Sequence, residues 1–321
     1  MQPISLYFAG AWAGSCSSKE VNLGVTNKLC SFIYPDQLKS WLKVSENVPG
    51  KILIDSGAFS AWNKGTEVDF DKYIEYCHDA LAHPLSKNKI IRVVNLDVIP
   101  GKKGETSNLV KSIKKEDKKI IDDAAQKGYR NLRYFIKNGI VPIHVFHQGE
   151  EYKWLEKMAE QTDYIGISPA NDVSQNQKKI WIERTFSFLE KNNIKVKTHG
   201  FAVWSPKIIL DYPWTSCDAA TWRLLAAYGG IFYPVGGYNN PDFYQNPLTI
   251  GVSEKRTNKG SFEFGDELIR ILKDDGYDFN EIQQSWQLRS EINIRYFLQF
   301  EKWANKQKET KEFKTTNNFI F

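Results

Sequence analysis

Nowhere in the 321 residues do two cysteines stand at CxxC spacing; the four, Cys16, Cys30, Cys77 and Cys217, are scattered. That pattern supplies no zinc motif and suits free thiols in a reducing compartment. No segment reaches the ~18 consecutive apolar residues of a membrane span. The opening MQPISLYFAGAW lacks the basic start and long apolar region of a secretory signal. These absences lead to the expectation of a cytoplasmic protein with no membrane partner. Neither a Rossmann GxGxxG nor a Walker GxxxxGK followed by Ser or Thr occurs, which argues against dinucleotide or nucleotide-triphosphate chemistry. One sign of charge does not dominate either: 43 Lys and Arg against 38 Asp and Glu give a net +5. Such a balance permits a nucleic-acid partner without demanding one.

What the chain does contain is enough apolar material, 41% with 25% charged residues, for a substantial soluble core. Short β-prone runs alternate with amphipathic helices from about residue 30 to about residue 235. Ile4–Ala9, Leu29–Tyr34, Lys51–Asp55, Ile90–Asp97, Val141–Phe146, Tyr164–Ser168, Lys195–His199 and Trp214–Cys217 have the character of strands. Between them Phe70, Tyr73, Ile74, Cys77 and Leu81 recur at helical spacing behind Asp69, and Ser205-Pro206 has the form of a helix start. This pattern predicts parallel α/β architecture, and polar residues after many different strands favour a TIM (β/α)8 barrel, whose site is assembled from strand ends. The expected division is a barrel over 1–250 and a C-terminal helical extension over 251–321. Within it the Gly- and Pro-rich Phe232–Tyr244 predicts an ordered loop, and Asn280 is a candidate cap for a long terminal helix.

The segment ILIDSGAFSAW, Ile52–Trp62, delivers Asp55 from a buried strand into a Ser-Gly turn, and Asp218 follows another strand far downstream. Two such carboxylates can provide the nucleophile and the acid/base of a retaining glycosyl transfer. Each also has a plainer account: Asp55 capping its turn, Asp218 capping a helix over Thr221–Tyr228, Gln148 and Gly166 serving turns and packing, His147 and His199 serving structure. The lysines between Lys102 and Lys119 equally suit a solvated helix face.

At these residues the chain resembles a known family. DSGAF at Asp55–Phe59 resembles the DSGGFQ motif of the tRNA-guanine transglycosylases, and NLD at Asn95–Asp97 resembles their guanine-recognising aspartate. HQG at His147–Gly149 resembles their substrate-binding glutamine and glycine, and IGIS at Ile165–Ser168 their GLAVGE loop. HGFAVWSP at His199–Pro206 is similar to their MGVG-x-P segment, and SCDAATW at Ser216–Trp222 sits where they carry the aspartate nucleophile. The resemblance covers about residues 50 to 225.

The resemblance implies that Asp218 attacks C1′ of a guanosine nucleotide and that Asp55 handles the proton of the leaving and incoming bases. It places Ser56, Gly57, Asp97, Gln148, Gly149, Gly166, Ile167, Gly200 and Phe201 around the base. Phe59, Trp62, Phe201, Trp204 and Trp222 are candidate stacking partners, and Lys102, Lys103 and Arg223 candidate nucleic-acid contacts. It implies a free 7-deazaguanine as co-substrate and no cofactor. The chain departs from the tRNA enzymes in having no Cys or His after Asp218, where they build a zinc subdomain, and in having Ala58 as the second residue of their Gly-Gly pair. It is in that respect more similar to the zinc-free phage and bacterial transglycosylases that modify DNA, with tRNA as the second choice of polymer. A retaining glycoside hydrolase and a non-catalytic nucleic-acid-binding barrel are the alternatives from other classes.

Overall fold

A computed structural model describes residues 3–11, 16–100, 115–170, 173–233, 240–253 and 266–310. Strand and helix alternate through β1 (Ser5–Ala9), α1 (Ser18–Asn22), β2 (Asn27–Ser31), α2 (Pro35–Val44) and β3 (Gly50–Asp55). The chain continues as α3 (Ala58–Asn63), α4 (Phe70–Ala82), β4 (Lys89–Val93), α5 (Lys115–Lys137), β5 (His144–His147), α6 (Tyr152–Ala159) and β6 (Tyr164–Ser168). Next come α7 (Gln175–Lys191), β7 (Lys197–Gly200), α8 (Pro206–Asp211), β8 (Ser216–Ala219) and α9 (Thr221–Ala227). After them lie β9 (Gly230–Tyr233), α10 (Pro241–Gln245), β10 (Leu248–Gly251), α11 (Asp266–Asp274), α12 (Phe279–Gln284) and α13 (Trp286–Thr310).

Local chemistry sets several of these boundaries. The Asp69 carboxylate accepts from the Lys72 amide at the start of α4, and Ser174 with Gln177 forms a reciprocal capping box on α7. Gly139, at φ 81°, follows the end of α5 in the left-handed conformation.

The first eight strands form one parallel sheet in the order β4-β3-β2-β1-β8-β7-β6-β5. Its two edges meet where Asn95 donates its amide to the Ile143 carbonyl at 2.8 Å and Ile143 donates to Val93 at 2.7 Å, a parallel bridge between Val94 and Ile143. The expected TIM-type barrel is therefore the fold. Side chains alternate as the pleat requires: Tyr7, Leu29, Leu53, Val94, Val145 and Tyr164 fill the interior. Leu6, Phe8, Cys30, Ile52, Ile54, Val93, Phe146 and Ile165 face the helices and join the larger core.

The C-terminal region is more than an appendage. β9 and β10 pair antiparallel, so this ladder straddles the boundary expected at 250/251. α9 has seven residues, and the outer face of β1 is covered instead by α13, whose Phe297 lies 6.1 Å from Phe8 and 4.0 Å from Trp204 between ring centroids. Asn305 bonds both backbone groups of Ile4, at 2.7 and 3.1 Å, and Glu301 accepts from the Leu6 amide at 2.9 Å. Asn280 caps nothing: Asp278, in extended backbone one residue before α12, accepts from the Glu281 amide, and the long helix begins only at Trp286. Of the expected Phe232–Tyr244 loop, Phe232 belongs to β9 and Pro241 begins α10, and residues 234–239 lie outside the described residues.

Candidate active site

Because all eight strands run the same way, their C-terminal ends form one mouth, and the carboxylates singled out in the sequence meet there. Asp55 ends β3. Its Oδ2 accepts from the Gly57 amide at 2.9 Å, a bond made possible by Gly57 at φ 73°, where a Cβ would stand 2.7 Å from Ile33 and 2.8 Å from Ser31. Burial, and next the neighbouring Asp97, push the Asp55 carboxyl up to about 7 against the bond from Gly57, with Asp218 adding to the rise. Ser56 is buried, donates to Asp97 Oδ1 at 3.3 Å and accepts from the Ala58 amide at 3.2 Å.

Asp97 is also bound on its other oxygen, Oδ2, by His147 Nε2 at 2.9 Å. His147 ends β5, and its Nδ1 meets Glu150 Oε1 at 2.9 Å. Burial alone would lower this imidazole, but the bonds to Asp97 and Glu150 prevail and raise it to about 10. Glu150 is raised by burial, with the His147 cation working against that rise. Gln148 donates its amide to the Ser168 carbonyl at 3.0 Å and accepts from the Ala170 amide at 3.1 Å through Oε1, tying the β5 and β6 loops together; Gly149, in the loop after β5, is at φ 110°. One layer deeper, Asn95 contacts the Gly128 carbonyl and His144 Nδ1, and burial pushes His144 down to about 3.

Asp218 lies in β8. Its Oδ1 accepts from the Ala202 amide at 2.9 Å and meets His199 Nε2 at 3.3 Å; Oδ2 has no hydrogen-bond partner among the described residues. His199 Nδ1 and the Tyr164 hydroxyl both lie 2.6 Å from Ser216 Oγ, so a buried chain of polar groups runs from Tyr164 to the carboxylate. Ala202 is at φ 51°, one of two non-glycine residues with positive φ among the described residues. Backbone strain of this kind collects at functional sites.

The remaining predicted residues fall into two groups. Gly166 lies inside β6 beneath the Phe201 ring, whose Cε2 would stand 2.2 Å from an added Cβ. Phe201 also packs edge-on against His199 at 4.5 Å. Gly200 faces Cys217 and Val203, each 2.9 Å from an added Cβ. Ile167 is fully buried in the outer core, and its carbonyl accepts from the Phe201 amide at 3.1 Å. Gly166 and Ile167 thus support Phe201, and Gly200 packs beside Cys217, the neighbour of Asp218. Arg223 is exposed in the first turn of α9 and passes Gly10 at the mouth. Lys102 and Lys103 lie outside the described residues. Trp222, expected as a stacking surface, is fully buried and donates Nε1 to the Ala9 carbonyl; Trp204 is packed against Phe232, Tyr296, Phe297 and Phe300. Phe59 is 48% exposed.

Two cavities lie near these groups, one lined by Asp97 and the other by Ala202, whose amide holds Asp218. One of about 500 Å³ is lined by Trp62, Val68, Leu96, Asp97, Asp123 and Lys127. The other, of about 670 Å³, adjoins Ala202 and Thr221 and is lined by Lys178, Lys179 and Lys207.

Sequence reasoning left His147, Glu150, His199 and Ser216 out of the site. A signal was present for Ser216, which stands two before Asp218 in β8 and so shares its face; for His147, Glu150 and His199 no local spacing pointed to the site. The class this fold and site define is a (β/α)8 barrel with three aspartates at its C-terminal mouth. Compared with known proteins, the chain matches no family model and no curated sequence.

Proposed function

We propose that this barrel is a base-exchange transglycosylase that replaces guanine in DNA by a 7-deazaguanine through a covalent aspartyl intermediate. The observation that carries the reading is the difference between Asp218 and Asp55. Asp218 has one oxygen anchored by Ala202 and His199 and the other without a hydrogen-bond partner among the described residues, as a positioned nucleophile requires. Asp55 is raised to about 7, as suits a group that gives and takes a proton near neutrality.

In this reading Asp218 Oδ2 attacks C1′ and the C1′–N9 bond breaks, its electron pair leaving with guanine, which takes the Asp55 proton. The incoming base returns a proton to Asp55 as its ring nitrogen attacks C1′ and expels Asp218. The Asp218 carboxylate stabilises the positive charge that develops on the sugar. Asp97 accepts from the guanine N1–H and 2-amino group. A paired base must first leave its stack, at a cost of about a few kcal/mol. DNA is preferred over tRNA because no Cys or His follows Asp218 to build the zinc element of the tRNA enzymes.

The test is incubation with guanine-containing DNA or tRNA and radiolabelled guanine, in the parent and in Asp218→Ala. Incorporation into DNA that disappears in the variant supports the reading. Incorporation into tRNA alone overturns the choice of DNA, and no incorporation with guanine or 7-deazaguanines, or release of sugar without a free base, overturns base exchange.

A further inference from the structure

We propose that His147 and Glu150 determine the base preference of this site by fixing Asp97 as an acceptor of hydrogen bonds, a role that rests on the base-exchange reading. The two residues act as positioning groups: neither needs to touch the base.

The argument begins with proton counting. His147 presents one ring nitrogen to each of two carboxylates, Asp97 and Glu150, both at 2.9 Å. A neutral imidazole carries one N–H and can donate to only one of them; the imidazolium donates to both. The side chains of Asp97 and His147 are 12% and 13% exposed and that of Glu150 is 3% exposed, so an unpaired carboxylate would be costly here. The ionisable groups facing His147 are Asp97 from the segment after β4, Glu150 from its own loop and His144 from its own strand. Burial and the His147 charge both disfavour a charge on His144. Both pairings could also be met by a neutral ring with a protonated Glu150; the rise of His147 to about 10 through its bonds to Asp97 and Glu150 selects the imidazolium, so the group is two carboxylates and one cation.

The consequence falls on Asp97. Ser56 occupies Oδ1 and His147 occupies Oδ2, which fixes the plane of the carboxylate and leaves each oxygen a lone pair for the pocket. Such a group receives two adjacent donors, as on the N1–H and 2-amino edge of guanine. It rejects a base that lacks them, because a buried acceptor is then left unsatisfied. Glu150 secures the second ring proton and orients the ring; without it the imidazole can turn or change tautomer and Asp97 loses its fixed partner.

Two measurements on the full chain test this. With ¹⁵N-labelled histidine, the resonances assigned by loss in His147→Asn should show both ring nitrogens protonated at pH 8, and Glu150→Gln should return that ring to a neutral form. A neutral His147 in the parent overturns the proposal, and this readout needs no turnover, so it is independent of the base-exchange reading. In the exchange assay, Glu150→Gln should raise KM for guanine at least tenfold while kcat changes less than threefold. The preference for guanine over hypoxanthine, which lacks the 2-amino group, should fall about tenfold, and Glu150→Asp should recover most of both losses. An unchanged KM and preference in Glu150→Gln, or a loss of kcat alone, overturns the proposal; thermal unfolding of each variant identifies any general loss of structure.

Discussion

The amide of Ala202 donates to Asp218 Oδ1 at 2.9 Å from a residue held at φ 51°. The backbone strain and the anchored carboxylate are one feature, since the left-handed turn after β7 aims this amide into the mouth. Glycine adopts that conformation without a Cβ clash and a β-branched residue adopts it poorly. Ala202→Gly should unfold within about 1 kcal/mol of the parent. Ala202→Val should lose roughly 2 kcal/mol or more. Urea denaturation checks both, and equal stability of the valine variant would show that the turn is not strained.

Asp55 gives a pH dependence of known sign. Its folded value of about 7 lies above the ~3.9 of an unfolded chain. Between those values the folded state keeps a proton that the unfolded state has lost, so this group's contribution falls as pH rises from about 4 to about 7. Asp55→Asn removes the titration and should stabilise the protein above pH 7 by roughly 2–4 kcal/mol, with no comparable gain near pH 4. Unfolding curves of parent and variant across pH 4–8 isolate the difference, since Glu301, raised to about 7 by burial, titrates in both. The same substitution should abolish base exchange.

Gly166 and Phe201 should behave as a coupled pair. A methyl group at 166 would stand 2.2 Å from the ring, so Gly166→Ala must displace Phe201 at a cost of about 1–3 kcal/mol. Phe201→Leu in the same chain should recover part of that loss, a non-additivity that a double-mutant cycle measures. Strict additivity would mean that the two do not share space.

α13 should prove inseparable from the barrel. Phe297 is buried between Phe8 and Trp204, and Phe297→Ala should cost about 3–5 kcal/mol. Deletion from Trp286 onward should leave no cooperatively folded barrel, because the outer face of β1 and the Ile4 and Leu6 backbone groups would lose their partners. A cooperative calorimetric transition in the shortened chain would contradict this.

Much of the barrel was legible locally. Asp69 and Ser205 mark the starts of α4 and α8 as expected, and YIGIS forms the predicted β6 over Tyr164–Ser168. Strands such as β2 and β8 were displaced by about two residues, since the end of an apolar run does not specify where a neighbouring strand stops pairing. Among the candidate site residues, Asp55, Asp97 and Asp218 were legible because each stands at or just past the C-terminal end of a strand. Trp222 was misjudged because an indole suits a stacking surface and a core equally, and its use was decided by the covering α13.

The sequence by itself determined the alternation of strand and helix, the aspartates at strand ends and the glycines on which the turns depend, since these follow from side-chain periodicity and backbone freedom within a few residues. Only the tertiary structure decided that His147 bridges Asp97 to Glu150, that Ala202 and His199 share one oxygen of Asp218, and that a distant helix closes the wall beside β1. Those outcomes depend on strand pairing and barrel closure, which bring Ala202 to Asp218 across 16 positions and His147 to Asp97 across 50, separations no local pattern encodes.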